Sequence, residues 1–186
     1  MAMPTVVGTG VGNSGVGAVT YAYPAGYTAV ADDIAVTLIQ TETADTVTPP
    51  TNWGAITNVV VGSGATTKLW AIWRRLTTSE AAPSVADVGN HQVGRMIILR
   101  GCITTGNPWD VFATNTELVS DTSVSIPGVT TTVPNCMVLQ AFHTGQDGSN
   151  TTAGATGWAN ALLAAVTERM DNWTASGLGG GLAMAS

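Results

Sequence analysis

Charge is what this sequence has least of. Only 10% of its 186 residues are charged, against roughly 25% in an average soluble domain, and Lys68 is its single lysine. Six basic residues face 12 acidic ones, for a formal net charge of −6. With no basic stripe to neutralise phosphates, the composition argues against nucleic acid and anionic membrane surfaces as partners. Long apolar runs are missing too, and none approaches the ~18 residues that a membrane span needs. Residues 1–10, MAMPTVVGTG, carry neither the basic nor the apolar region of a secretory signal, so synthesis in the cytoplasm without a signal peptide is expected. The two cysteines, Cys102 and Cys136, are too few for a disulfide scaffold. Their strand-like surroundings suit two buried thiols, with a bridge between neighbouring strands as the alternative. The two histidines, His91 and His143, have no cysteine or carboxylate at a metal-ligand spacing. No metal or cofactor is therefore expected.

What the chain has in plenty is glycine, threonine and short β-branched runs, and one domain of this length can bury a sizeable core. Residues 1–17 read as a flexible glycine-rich arm, with residues 18–186 as a single domain. Within the arm, Gly10 to Gly15 matches GxGxxG, and Asp32 and Asp33 lie near the distance of a ribose-binding carboxylate. The context is wrong, because Val19, Tyr21 and Tyr23 follow at period two, where a dinucleotide site needs a helix. Adjacent carboxylates on an extended chain point to opposite faces. Asp32 and Asp33 are therefore read as turn solvation.

Ile34 to Gln40 alternates Ile34, Val36 and Leu38 against Ala35 and Thr37, the pattern of a half-buried strand. Thr67 to Leu76 and Gly94 to Gly101 are apolar on both faces and must be covered twice. Ile56 to Val61, Trp109 to Phe112 and Val166 to Asp171 read as further strands, and Pro83 to Val88 as a weak strand or loop. The stretch Ser123 to Thr144 is expected to organise the chain. It opens with the Ser/Val/Ile alternation of a strand at Ser123 to Ile126, turns at Pro127 and again at Pro134, and then enters Cys136 to Phe142, a strand buried on both faces. Trp158 to Val166 has helix-like composition, but irregular structure with at most a helical turn is expected there. Leu178 to Ala185 alternates large residues with Gly179, Gly181 and Ala183, so its glycine face must lie close to another backbone or ring. Many short strands between turn signals give an all-β fold, an antiparallel two-sheet β-sandwich of jelly-roll type with about nine to eleven strands.

No catalytic constellation is visible. There is no Gly-x-Ser-x-Gly elbow, and Glu117 and Glu168 make a glycosidase pair only if the tertiary fold brings them together. Trp53, Trp109, Trp158 and Trp173 lie in or beside loops. They either stack on sugar rings or plug the ends of the sheets.

Three stretches carry a resemblance: SIPGVTTTVPNCMVLQ at residues 125–140, ILRGC with the later NPWDV at residues 98–111, and VTERMDNWTASGLGGGLAMAS at residues 166–186. Together they resemble a family of tailed-bacteriophage virion proteins built on a jelly-roll or lectin-like β-sandwich. The similarity spans residues 19–186, and its motifs mark a fold more than an activity. Family members as a rule carry one or two further strands after the Gly-Gly-Gly strand, so a shortened domain or one completed by a partner is implied. The resemblance implies a non-enzymatic structural role in the virion, as capsid decoration or fibre. Its partners would be copies of itself and other virion proteins. A carbohydrate-binding module for a host-surface glycan is the alternative, and a β-sandwich hydrolase the third reading. Strands apolar on both faces and the low charge point to self-association, with Leu178, Leu182 and Met184 at a subunit boundary.

Overall fold

The fold comes from a computed structural model that describes residues 2–60, 66–117, 122–148 and 154–186, with side chains throughout except at 57–60. The described residues contain strands and turns and no helix. In chain order the strands are β1 (Thr5–Thr9), β2 (Asn13–Gly15), β3 (Val19–Thr20), β4 (Ile34–Glu42), β5 (Gly54–Val60), β6 (Thr67–Arg75), β7 (Ser84–Val85), β8 (Gln92–Arg100), β9 (Gln140–Thr144), β10 (Glu168–Thr174) and β11 (Gly180–Ala185). Every pairing is antiparallel. Six strands form one sheet in the order β1-β8-β4-β6-β5, with β2 also on β8; β10-β11-β9 form a second sheet, and β3-β7 a two-stranded ribbon.

The nine-residue strand β4 sits in the middle of the large sheet, paired from Ile34 opposite Arg75 to Glu42 opposite Thr67 on one side and with β8 on the other. Its β-branched residues suit this position, because both of its edges are hydrogen-bonded and both of its faces are covered. Ile34, Val36 and Leu38 join Leu69, Ala71, Ile97 and Leu99 in a cluster that Met170, Leu182 and Met184 of the small sheet complete. On the opposite face, Ala35 and Ile39 pack with Trp70, Ile72, Met96 and Ile98 under Tyr21, Val47, Trp53, Leu76 and Val85. The expectation of a half-buried β4 is thereby corrected: residues 34–41 are all buried.

The double cover that β6 and β8 demand comes from within the chain. Loops and the β3-β7 ribbon close one face, and the small sheet closes the other. A neighbouring molecule is not needed for either.

Three further expectations change. Residues 1–17 do not stand off as an arm, because β1 and β2 both pair with β8, and Gly10 N donates to Met96 O at 2.9 Å. The glycines there serve close approach, since a Cβ on Gly12 would occupy the place of the Asn172 amide. The Ser123 to Thr144 stretch is not the organising element. Ser123 to Ile126 and Trp109 to Phe112 form no strand, and the Cys136 to Phe142 run pairs only from Gln140 and is half-buried. The physical reason is position, as β9 is an edge strand of the small sheet, with one side unpaired among the described residues. Finally, Leu182 and Met184 are internal, 0% and 1% exposed, while Leu178 is 58% exposed in the turn before β11. The chain's last strand is also not an open edge, for β11 lies between β9 and β10.

Trp158 to Val166 contains only a turn and bends, as expected for that segment. Far-UV circular dichroism should accordingly give a β-dominated spectrum with under about 10% helix, against about a third in an average domain. A helical band of the size that residues 158–171 would add contradicts the fold.

Candidate functional site

The four loop tryptophans do not converge. Trp53 is 8% exposed within the loop-covered core, and Trp173 is 5% exposed on the outer face of the small sheet. The Trp173 ring lies so close to β11 that a Cβ on Gly181 would sit 2.5 Å from it, which is the close ring that the glycine face of this strand required. Trp158 reaches the same outer cluster and packs beside Phe142, with centroids 5.8 Å apart. Trp109 is elsewhere, edge-on to Trp73 at 5.0 Å. No two of the four tryptophans form an exposed platform.

The carboxylates pair differently from the glycosidase alternative. Glu117 accepts the Ser125 amide at 3.1 Å, whereas Glu168 is close to Asp171. A register shift between Glu168 and Met170 sets Glu168 opposite Ala185 and Asp171 opposite Ala183, which brings both carboxyls to the outer face. Burial raises the pKa of each, and the Asp171 charge raises that of Glu168 further. Asp171 Oδ2 accepts the amides of Gly154 and Ala155 at 3.0 and 3.2 Å. This pair fastens a loop to the sheet.

His91 is buried in a polar corner, and His143 is part-buried on β9. His91 Nδ1 lies 2.9 Å from Asn90 Oδ1, an oxygen that also accepts the Leu178 amide at 2.7 Å. That arrangement requires the proton on Nδ1, which leaves Nε2 to accept the Gln40 amide at 3.1 Å. Asp45 steadies the same corner by accepting the Asn90 amide at 3.1 Å and the His91 amide at 3.4 Å. His143, on β9, reaches Thr67 Oγ1 of the large sheet at 2.9 Å. Burial lowers the pKa of both imidazoles, that of His143 to about 4, while Asp45, Glu42 and Asp147 partly offset the effect at His91. The hydroxyl that His143 touches, that of Thr67, is itself buried, 5% exposed. Among the described residues no group of three or more His, Cys, Asp or Glu side chains is placed to hold a metal.

Asp33 is where reading the residues alone fell short. Instead of solvating a turn, it is 2% exposed. It accepts Arg100 Nε at 2.8 Å and Nη2 at 2.7 Å, with the Tyr27 hydroxyl donating at 2.9 Å. Asp32 beside it is a surface residue in the left-handed region, φ 69°, 3.9 Å from Arg75. The signal was present in the β4-β8 register: Ile34 opposite Leu99 places Asp33 beside Arg100. Finding it required knowing that those two strands pair.

All six cations are engaged within the chain. Lys68 donates to the Asp45 carbonyl and Arg74 pairs with Glu80; Arg75 holds the carbonyls of Ile103 and Gly106; Arg95 holds Gly10, Arg100 holds Asp33, and Arg169 meets Ser186. Cys102 and Cys136 are free thiols, half-buried, with their pKa raised by burial.

Between β8 and β9 the described residues form no strand until Gln140, and this excursion exposes apolar side chains: Ile103 39%, Phe112 58%, Val124 52%, Val129 41% and Val133 51%. Asp110 holds it together internally by accepting the Thr132 amide at 2.6 Å and the Thr132 hydroxyl. Arg75 pins its beginning to the large sheet. Comparison with protein-family models, curated proteins and solved structures finds no match to this chain.

Proposed function

We propose that this chain is a non-enzymatic structural component of a tailed-phage virion, a capsid decoration or fibre protein that acts through contacts with copies of itself and with other virion proteins. The observation that carries the reading is the excursion between β8 and β9. It exposes Ile103, Phe112, Val124, Val129 and Val133 on a segment pinned at Arg75 and Asp110. Connections without regular structure longer than about 12–15 residues inside compact domains are uncommon and usually functional, and this one carries five exposed apolar side chains along its length. Because Leu182 and Met184 are internal, this reading puts the subunit boundary on the excursion instead. The shared cluster of Ile34, Leu69, Leu182 and Met184 between the two larger sheets supports the sandwich form of the fold. For the hydrolase reading, Glu117 and Glu168 have different partners: Glu117 accepts the Ser125 amide and Glu168 lies beside Asp171.

Two measurements test the proposal. The chain should copurify with particles in fixed stoichiometry and be locatable by imaging purified virions. The double variant Phe112→Ser with Val133→Ser should fold with stability within about 0.5 kcal/mol of the parent, as exposed substitutions do, yet fail to be incorporated. Normal incorporation of that variant would remove the excursion from the assembly contact.

A further inference from the structure

The Arg100–Asp33–Tyr27 group stands at the end of an open dish of about 390 Å³, lined by Val7, Pro24, Tyr27, Thr28, Val30 and Arg100. We propose that this dish is a binding site for a neutral pyranose ring. The proposal does not depend on the chain being a virion component, and it uses none of the four loop tryptophans.

The argument starts from the guanidinium. Arg100 gives one edge, Nε and Nη2, to the two oxygens of Asp33. The fork formed by Nη1 and the outer N–H of Nη2 makes no hydrogen bond to the described protein, and the side chain is 48% exposed. Five planar donors on a delocalised cation make Arg a two-sided clamp. Here Asp33, itself buried and steadied by the Tyr27 hydroxyl at 2.9 Å, fixes the plane and aims the second side outward. A donor fork held in place before the ligand arrives loses little entropy on binding.

Two adjacent acceptors satisfy such a fork, and either a carboxylate or a vicinal diol supplies them. Charge decides between the two. Asp33 already neutralises Arg100, Asp32 lies 3.9 Å from Arg75 at the same end of the sheet, and the whole chain carries −6. An anion arriving here gains little Coulomb energy and meets a field of its own sign, whereas hydroxyl oxygens need only donors. The remaining walls are mostly apolar and short: Pro24, Tyr27, Val7 and Val30 line the dish, and Thr28 adds a hydroxyl. They suit the C–H face of a sugar ring, and aromatic rings with a polar tip are good partners for ligands that are apolar on one side and wet on the other. A peptide offers only one carbonyl per residue and would leave half of the fork unused.

The experiment is an NMR titration of the whole chain, following the Arg100 Nε–H and Tyr27 ring resonances. The probes are methyl α-mannopyranoside and methyl β-galactopyranoside, with sodium acetate, methyl glucuronide and a proline-rich peptide as competitors. Saturable shifts in the millimolar range are expected for at least one neutral glycoside. Thr28→Trp, an exposed rim position that leaves the Arg100–Asp33 pair intact, should fill the dish and abolish the shifts; Ala25→Trp replaces it if the first variant does not fold. Arg100→Lys keeps the charge but loses the fork, and should weaken binding about tenfold, with thermal stability recorded alongside. The proposal is overturned by no saturable shift from either glycoside, by saturation with only acetate, glucuronide or the peptide, or by glycoside binding that survives the rim tryptophan.

Discussion

Leu182→Lys is expected to leave no folded protein. Leu182 is 0% exposed on the central strand of the small sheet, where it packs with Met170, Met184 and the Ile34, Val36 and Leu38 face of β4. Truncating such a residue to alanine costs about 2–5 kcal/mol from lost burial and the cavity left behind. Lysine adds an ammonium with no carboxylate partner in an apolar cluster, a further penalty of about several kcal/mol. Together these approach the whole stability of a typical domain, about 5–15 kcal/mol. The check is urea denaturation of Leu182→Ala, which should lower the transition midpoint by the first amount, beside soluble expression of Leu182→Lys. A folded, soluble Leu182→Lys monomer would place this residue at a subunit boundary after all. Leu178→Lys is the matching control. That side chain is 58% exposed, and its replacement should change stability by less than about 0.5 kcal/mol.

The contrast between Leu178 and Leu182 shows where sequence reading stops. Strands β4, β6, β8 and β11 were legible nearly to their ends, because runs such as Thr67 to Arg75 combine β-branched and aromatic residues between turn signals. That β6 and β8 must be covered on both faces was legible too. What covers them was not, since Tyr21, Val47, Trp53, Leu76 and Val85 come from segments with little or no periodicity. Residues that pack through loops leave no repeating signature, and a neighbouring molecule looked equally able to supply them.

Strands β1 and β2 were illegible for the opposite reason. In β1 the β-branched Thr5, Val6, Val7 and Thr9 favour a strand, but the glycines that follow from Gly8 to Gly17 hid it, and β2, Asn13-Ser14-Gly15, has no propensity of its own and is extended because β8 offers its backbone edge. The apolar run from Cys136 erred in the other direction, reading as a buried strand while lying toward a sheet edge. At the site level, no local pattern joins Asp33 to Arg100, 67 residues apart. Only the pairing of β4 with β8 makes them neighbours.

Stability should fall steeply between pH ~6.5 and ~4, and His143 is the main reason. Its imidazole, held between the sheets against Thr67 Oγ1 at 2.9 Å, has a pKa lowered from 6.5 to about 4 by burial. The folded chain therefore keeps His143 neutral at a pH where the unfolded chain protonates it. With more protons bound in the unfolded state, stability rises with pH across that window. The contribution is fully present above pH 6.5, is lost as pH falls toward 4, and has no further effect below, where both states bind the proton. At about 1.4 kcal/mol per pKa unit, the difference amounts to about 3 kcal/mol. His91, also lowered by burial, adds in the same direction. Glu168 and Asp171 act against it, because their raised pKa values give stability that is lost as pH rises through them. The measurement is the urea midpoint at half-unit steps from pH 7 to 4 for the parent and for His143→Gln. Glutamine keeps a hydrogen-bonding group opposite Thr67 and does not ionise, so most of the slope should disappear in the variant. An unchanged slope would mean that His143 is already protonated, or solvated, in the folded chain.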